Sequence, residues 1–251
     1  MTPELYQLAL DAIEAKDLDA LRAVLDANPA LATARSPEHG GNLLHDAAYA
    51  NDVAVCRFLV DTGCSTSQIK EKQCFPDSPH AGSGSQTPLA LALENGKRDA
   101  ATFLASVEVA PDNLWMAASL GDFARMRRFF GAAGNLTAEA RDPNKAGDDT
   151  FVLTDALVGA AHHGHNQVAL DLIERGADPS GRDQFGMTAL HYAVQGNTEL
   201  TEALLDRGAD VRVRDFQFDA TPYGWAKYQK HDAIAALLKS RCDLDPRDLE
   251  G

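Results

Sequence analysis

Two stretches in the C-terminal half of this 251-residue chain read as copies of one another. One runs Gly176-Ala-Asp-Pro-Ser-Gly-Arg-Asp-Gln-Phe-Gly-Met-Thr-Ala-Leu-His191. The other starts at Gly208-Ala-Asp and leads, after a short gap, into Ala220-Thr-Pro-Tyr-Gly-Trp225. The two Gly-Ala-Asp starts lie about 32 residues apart, a spacing at which each unit is one supersecondary piece that cannot bury its apolar face alone. Such a chain folds by stacking units on their neighbours, so its stability is built from nearest-neighbour contacts.

The unit can be read residue by residue. An entry element recurs as Asn42-Leu-Leu-His45, Thr87-Pro-Leu-Ala90, Thr188-Ala-Leu-His191 and Thr221-Pro-Tyr-Gly224. A threonine hydroxyl caps the open amides of a helix start, and proline in the first helical position sacrifices no hydrogen bond. Small pairs follow at Ala47-Ala48, Ala117-Ala118 and Ala160-Ala161, which let neighbouring helices approach closely. Gly96, Gly121 and Gly164 are placed to end that first helix, where a left-handed backbone is easiest without a Cβ. A second helix shows apolar spacing in Val55, Leu59 and Val60, in Val168, Leu172 and Ile173, and in Ile234, Leu237 and Leu238. Its expected ends are Gly63, Gly176 and Gly208.

On these motifs the sequence resembles the ankyrin repeat family, strongly over residues 156 to 238 and more loosely from 5 to 241. The resemblance implies an all-α fold, an ankyrin-repeat α-solenoid of about seven helix-turn-helix repeats with two long inter-repeat loop insertions. The expected layout is a single domain over 1–251. It has a capping repeat at 1–35, repeats at 36–64, 86–108, 109–131, 154–182, 183–214 and 215–242, and insertions at 65–85 and 131–153. The insertions are rich in Gly, Pro, Ser and Asp, and long connections of that kind tend to carry function.

Composition agrees with closely packed helices: 45% of residues are hydrophobic but only 7% aromatic. The formal net charge of −14 disfavours a general nucleic-acid binder, which needs a concentrated basic face. Cys56, Cys64, Cys74 and Cys242 form no metal-type or framework spacing, so they read as free thiols of a reducing compartment. No apolar run reaches the roughly 18 residues of a membrane span. The expectation is a cytoplasmic, monomeric scaffold with no cofactor, no metal, no nucleic acid and no membrane partner. A protein or peptide partner of basic character would suit the charge through steering.

The resemblance also places a concave binding groove, built from the hairpin tips and the last residues of each first helix. Carried onto this sequence, the partner-binding positions are Tyr49, Glu94, Asn95, Ser119, His162, His163, Gln195, Tyr228 and Gln229, with Gln184, Phe185, Met187, Phe216 and Gln217 at the tips. Tyr, Phe and Met on a rim suit recognition. Phe185 and Phe216 are equally accounted for by packing on the next hairpin.

Of the eight histidines, His45 and His191 fall in the entry element and His165 and His231 follow the inter-helix turn. All four are expected to bond backbone groups of a neighbouring unit. His39, His80, His162 and His163 are left without such a role. A second functional reading follows from the last two: a small-molecule-binding or catalytic site with His162 or His163 as acid/base, covered by the 131 to 153 loop. Asp155, expected to cap the same helix, is too far along it to orient either ring. The orienting carboxylate would therefore come from the insertion, through Asp148 or Asp149, or Glu139 or Asp142.

Other motifs carry less. Asp142-Pro-Asn-Lys-Ala-Gly147-Asp-Asp149 begins like a calcium loop, but Leu153 stands where a bidentate Glu is needed. Arg125, Arg127 and Arg128 interrupt Phe123, Met126, Phe129 and Phe130, which reads as an amphipathic helix with a basic outer side. Gly82-Ser-Gly-Ser85 lacks the lysine of a phosphate loop.

Overall fold

The computed structural model describes residues 3 to 38, 40 to 71, 85 to 107, 113 to 141, 147 to 244 and 247. They group into two compact units, one built from the described residues up to Val107 and one from those from Asn113 onward. His39, His80, Cys74, Asp142 and the glycine-serine run at 82 to 84 lie outside the described residues.

The first unit contains three helix pairs: α1 (Pro3–Glu14) with α2 (Leu18–Ala27), α3 (Leu43–Tyr49) with α4 (Val53–Asp61), and α5 (Pro88–Glu94) with α6 (Arg98–Val107). A 3-10 turn at Pro29–Thr33 closes the first pair, and a two-residue antiparallel pair of strands, β1 (Lys70–Glu71) and β2 (Ser85–Gln86), precedes α5. Tyr6, Ile13, Leu21, Leu43, Leu44, Leu59, Leu93 and Leu104 are fully buried between the helices. Side-chain oxygens of Asp17, Asp52 and Thr87 each accept the amide three residues on, satisfying donors that a helix start leaves open. Asn51 ties adjacent pairs together. With φ at +56°, its amide oxygen accepts the Ala100 N–H at 3.0 Å while its NH2 group donates to Asp99 at 3.2 Å.

The second unit has four pairs: α7 (Leu114–Ser119) and α8 (Phe123–Arg127), α9 (Asp149–His162) and α10 (Asn166–Glu174), α11 (Ala189–Ala193) and α12 (Thr198–Asp206), α13 (Pro222–Tyr228) and α14 (Asp232–Arg241). One continuous core, including Leu114, Met126, Leu157, Leu172, Leu190, Leu204 and Leu238, runs through all of them. The basic outer side of α8 is as expected. Met126 and Phe129 are buried, while the Arg127 guanidinium lies over the Phe123 ring at 4.7 Å.

One element departs from the expected layout. The 131 to 153 segment is not loop throughout: Phe130 pairs with Leu136, Ala138–Ala140 form a 3-10 turn, and α9 begins at Asp149. Its cap is Asp148, which accepts the Phe151 amide at 2.9 Å, and not Asp155, which sits further along the helix. Leu153 is buried and Val152 packs on the core, so the apolar pattern of the helix extends back into residues that break the repeat period.

Candidate functional site

The entry element builds the site from the inside. In α11 the Thr188 amide donates to His191 Nδ1 at 3.0 Å, and His191 Nε2 donates to the Ala220 carbonyl of the next hairpin at 3.2 Å. The ring is therefore neutral with its proton on Nε2. Burial pushes its pKa down to about 4, against the pull of the Ala220 bond. In the same way the Asn42 amide donates to His45 Nδ1 at 3.1 Å. His165 Nε2 donates to the Ser119 carbonyl across repeats at 3.1 Å, and its ring fills the space beside Gly121. His231 packs beside Gly196.

These bonds fix the hairpin turns that precede α11 and α13, and each turn is organised by one aspartate. Asp183 Oδ1 accepts the amides of Phe185 and Met187, at 2.8 and 2.9 Å, and its Oδ2 accepts the Tyr192 hydroxyl at 2.7 Å. One turn later, Asp215 Oδ1 accepts the amides of Gln217 and Phe218, while its Oδ2 accepts the Ala220 amide and, at 3.0 Å, the Trp225 indole N–H. Tyr192 and Trp225 occupy the same slot one 33-residue period apart. The fold thus repeats a clamp in which a turn aspartate holds the aromatic ring of the following helix. The Asp183 residue is largely buried and its carboxylate is enclosed. Burial pushes it up to about 6, opposed by the bonds from Tyr192, Met187 and Phe185 and reinforced by the negative charge of Asp155.

The clamped rings, partly exposed themselves, anchor an aromatic face on the second unit. The His162 ring stacks on Tyr192 with centroids 4.3 Å apart, and His163 follows behind at 5.0 Å. Trp225 meets Phe218 edge-on at 5.5 Å and Tyr228 at 6.2 Å, with interplanar angles of 79° and 86°. Phe218, Ala220, Gly224, Trp225 and Tyr228 line an open pocket of about 230 Å3. Phe218 is 61% and Tyr228 81% exposed, the first on a turn held by Asp215 and the second beside Trp225.

The positions expected to meet a partner divide on this evidence. In the second unit Tyr228 and Gln217 are exposed, and His162, Gln195, Gln229, Phe185 and Phe216 are partly so. Ser119, His163, Gln184 and Met187 are buried, so they support the face from beneath and do not present side chains to a partner. Two physical reasons account for them. Below the row, the Ser119 hydroxyl faces Gly159 of α9, and the His163 ring packs beside those of His162 and His165, with centroids 5.0 and 6.2 Å away. At the tips, consecutive turns hydrogen-bond through the Phe216 amide and the Phe185 carbonyl at 2.8 Å, and Phe216 packs over Gly186, which covers the residues between. In the first unit, Tyr49 is 56% exposed with the Lys97 ammonium 5.0 Å from its ring centre, and Glu94 and Asn95 are half-buried at the end of α5. Phe218, Trp225 and Tyr192 were missed. Their signal was the recurrence of an aromatic residue in one slot of two successive units.

The described insertion carboxylates are not brought to the histidines. Asp148 and Asp149 start the 14-residue α9 and His162 ends it, so about 20 Å separates the proposed partners. Asp148 is committed to its cap, and Asp149 pairs with Arg141, which also donates to the Gly147 carbonyl at 2.9 Å. Glu139 is exposed on its own 3-10 turn. Among the described residues no group of three or more His, Cys, Asp or Glu side chains is placed to hold a metal ion. Cys56 and Cys64 are buried free thiols, each pushed up to about 12 chiefly by burial. None of the helices formed by described residues is long and apolar enough to cross a membrane.

Stacked helix pairs joined by clamped turns define a class of repeat proteins whose exposed turn and helix-end residues vary on a fixed support. The family model for ankyrin repeats (3 copies) matches residues 156–248. The human cyclin-dependent kinase 4 inhibitor B is 30% identical over 112 residues, covering 44% of this chain and 81% of that protein. The cyclin-dependent kinase inhibitor 2A of Monodelphis domestica is 27% identical over 137 residues, 52% of this chain and 80% of that relative. The potassium channel AKT1 of Oryza sativa is 37% identical over 83 residues, which is 33% of this chain but only 9% of the channel's length. The chain belongs to the ankyrin repeat family. Ankyrin repeats are protein-protein interaction modules, and members of the family are generally binding proteins without catalysis of their own.

Proposed function

We propose that the protein binds a partner polypeptide in the groove on the hairpin side of its second unit, across His162, Tyr192, Gln195, Phe218, Trp225 and Tyr228. The observation that carries this reading is the exposure of Phe218 and Tyr228, 61% and 81%, on supports held by Asp215 and the packed Trp225. Large aromatic side chains that are fixed before binding lose little conformational entropy on association, which is why such residues dominate the energy of interfaces. A single exposed ring has no such meaning, but two exposed rings set nearly perpendicular to a third around one pocket do.

Tyr49, Glu94 and Asn95 are candidate contacts on the first unit, and the net charge of −14 favours a basic partner through its rate of encounter. The cytoplasmic, monomeric state belongs to the same proposal.

The test is co-purification from the native cell with wild type and with the Phe218→Ala, Tyr228→Ala double variant. Both side chains are solvent-facing, so the thermal melt is expected to stay within about 1 °C of wild type while one specific partner is lost. An unchanged set of partners would remove this face from consideration.

A further inference from the structure

The corner formed by Phe218, Trp225 and Tyr228 has a chemistry of its own. Phe218 and Tyr228 both stand nearly perpendicular to the Trp225 indole, at 79° and 86°, and all three rings line one pocket. Of the polar atoms on the side chains that line it, the indole N–H is already given to Asp215, leaving the Tyr228 hydroxyl. The same carboxylate accepts the Phe218 amide, so one buried aspartate holds both the indole and the turn that carries Phe218. By accepting the indole N–H, an anionic group also leaves more electron density on the ring face, which is the side that attracts cations.

We propose that this corner is an aromatic cage for a quaternary ammonium, supplied by the trimethylated lysine side chain of a partner polypeptide. The inference rests on the interaction reading above and names the partner's chemistry. A primary ammonium brings three N–H donors, and among the side chains of the lining only the Tyr228 hydroxyl can accept one. A trimethylammonium has no donor to satisfy, is attracted by the ring faces, and buries its methyl groups against the apolar walls. Charge agrees: the Asp215 carboxylate lies at the edge of the indole, and the whole chain carries −14, while Asp219 on the same turn is paired with Arg214 and Arg247. The pocket is open to solvent on one side, as a side chain arriving on a peptide requires.

The chain has two tryptophans, Trp115 and Trp225, so spectra of the nitrogen-labelled protein contain two indole N–H signals, distinguished by Trp115→Phe. Three short peptides with neutral flanks serve as probes, carrying lysine, trimethyl-lysine or the uncharged tert-butyl isostere of trimethyl-lysine. The trimethyl-lysine peptide is expected to move the Trp225 signal saturably, with the other two at least about tenfold weaker, and Phe218→Ala or Tyr228→Ala is expected to abolish the shift. Equal binding of the tert-butyl peptide overturns the cation role, and equal binding of the lysine peptide overturns the methylation requirement. Choline binding as tightly as the peptide overturns a polypeptide source, and no shift at all overturns the cage. Failure here is separable from failure of the interaction reading. A partner that is lost on Phe218→Ala, Tyr228→Ala but not displaced by the trimethyl-lysine peptide refutes the cage and leaves the interface standing.

Discussion

Replacing Asp183 with asparagine is expected to stabilise the protein at pH 7 by about 3 kcal/mol, with the gain fading to nothing near pH 4. The Asp183 carboxylate is raised to about 6 in the fold, chiefly by burial, against an ordinary value of 3.8. A raised carboxylate contributes stability that is fully present below the unfolded pKa and lost as pH rises through the folded one. From pH 4 to 6 the wild type therefore loses stability through this group. Asparagine behaves as a carboxyl that never ionises. Its oxygen can still accept the Phe185 and Met187 amides, and its NH2 group can donate to the Tyr192 hydroxyl.

His191 works in the opposite sense. Its folded pKa of about 4 lies below the ordinary 6.5, so the unfolded chain takes up a proton first as pH falls. Stability then drops between pH 6.5 and 4 by about 3 kcal/mol. In the wild type the two groups offset one another across pH 4 to 6. In Asp183→Asn the histidine slope, roughly 1.4 kcal/mol per pH unit, is uncovered. Urea unfolding of both proteins at pH 4, 5, 6 and 7 measures the difference. Parallel curves would show that the Asp183 carboxylate is not shifted by its enclosure.

The second large effect is expected at Gly121. Its φ is +68°, a region where a side chain costs about 1 to 3 kcal/mol, and a Cβ there would lie 2.5 Å from His165 Nδ1. The ring is not free to yield, because Nε2 holds the Ser119 carbonyl of the preceding pair. Gly121→Ala therefore adds strain and weakens a bond between repeats, for a total loss of about 3 kcal/mol. Gly176 is the control. Its φ is +102°, but nothing lies within 4 Å of a Cβ there, so Gly176→Ala reports backbone strain alone. Equal destabilisation of the two variants would remove the His165 contact from the account of how repeats adhere.

The repeat itself was legible because its signals are local. Thr188 and His191 are three residues apart and bond within one turn of helix, and Gly164, Gly176 and Gly208 each stand at a positive φ that ends a helix. The start of α9 was not, because Phe151, Val152 and Leu153 interrupt the period and Asp155 offers an equally good capping side chain to a reader who counts from the repeat. Only the burial of Leu153 in the core settles that the helix begins at Asp149. The site was legible in part. Tyr228 and His162 could be counted to their row, but Ser119 and His163, counted to the same row, are buried by Gly159 of α9 and by neighbouring imidazoles. Phe218 and Trp225 owe their arrangement to Asp215, and a carboxylate that bonds both a turn and an indole 10 residues away is visible only once the turn is folded.

The central claim is that a partner polypeptide docks on the face carrying Phe218, Trp225 and Tyr228. The most direct measurement places a photo-crosslinking amino acid at position 228 and, separately, at position 202, where Glu202 is exposed on α12. Irradiation in the native cell is expected to trap one discrete partner from position 228 and none of it from position 202, with the Phe218→Ala background reducing the yield several-fold. The same partner trapped from position 202 but not from 228 would contradict the account.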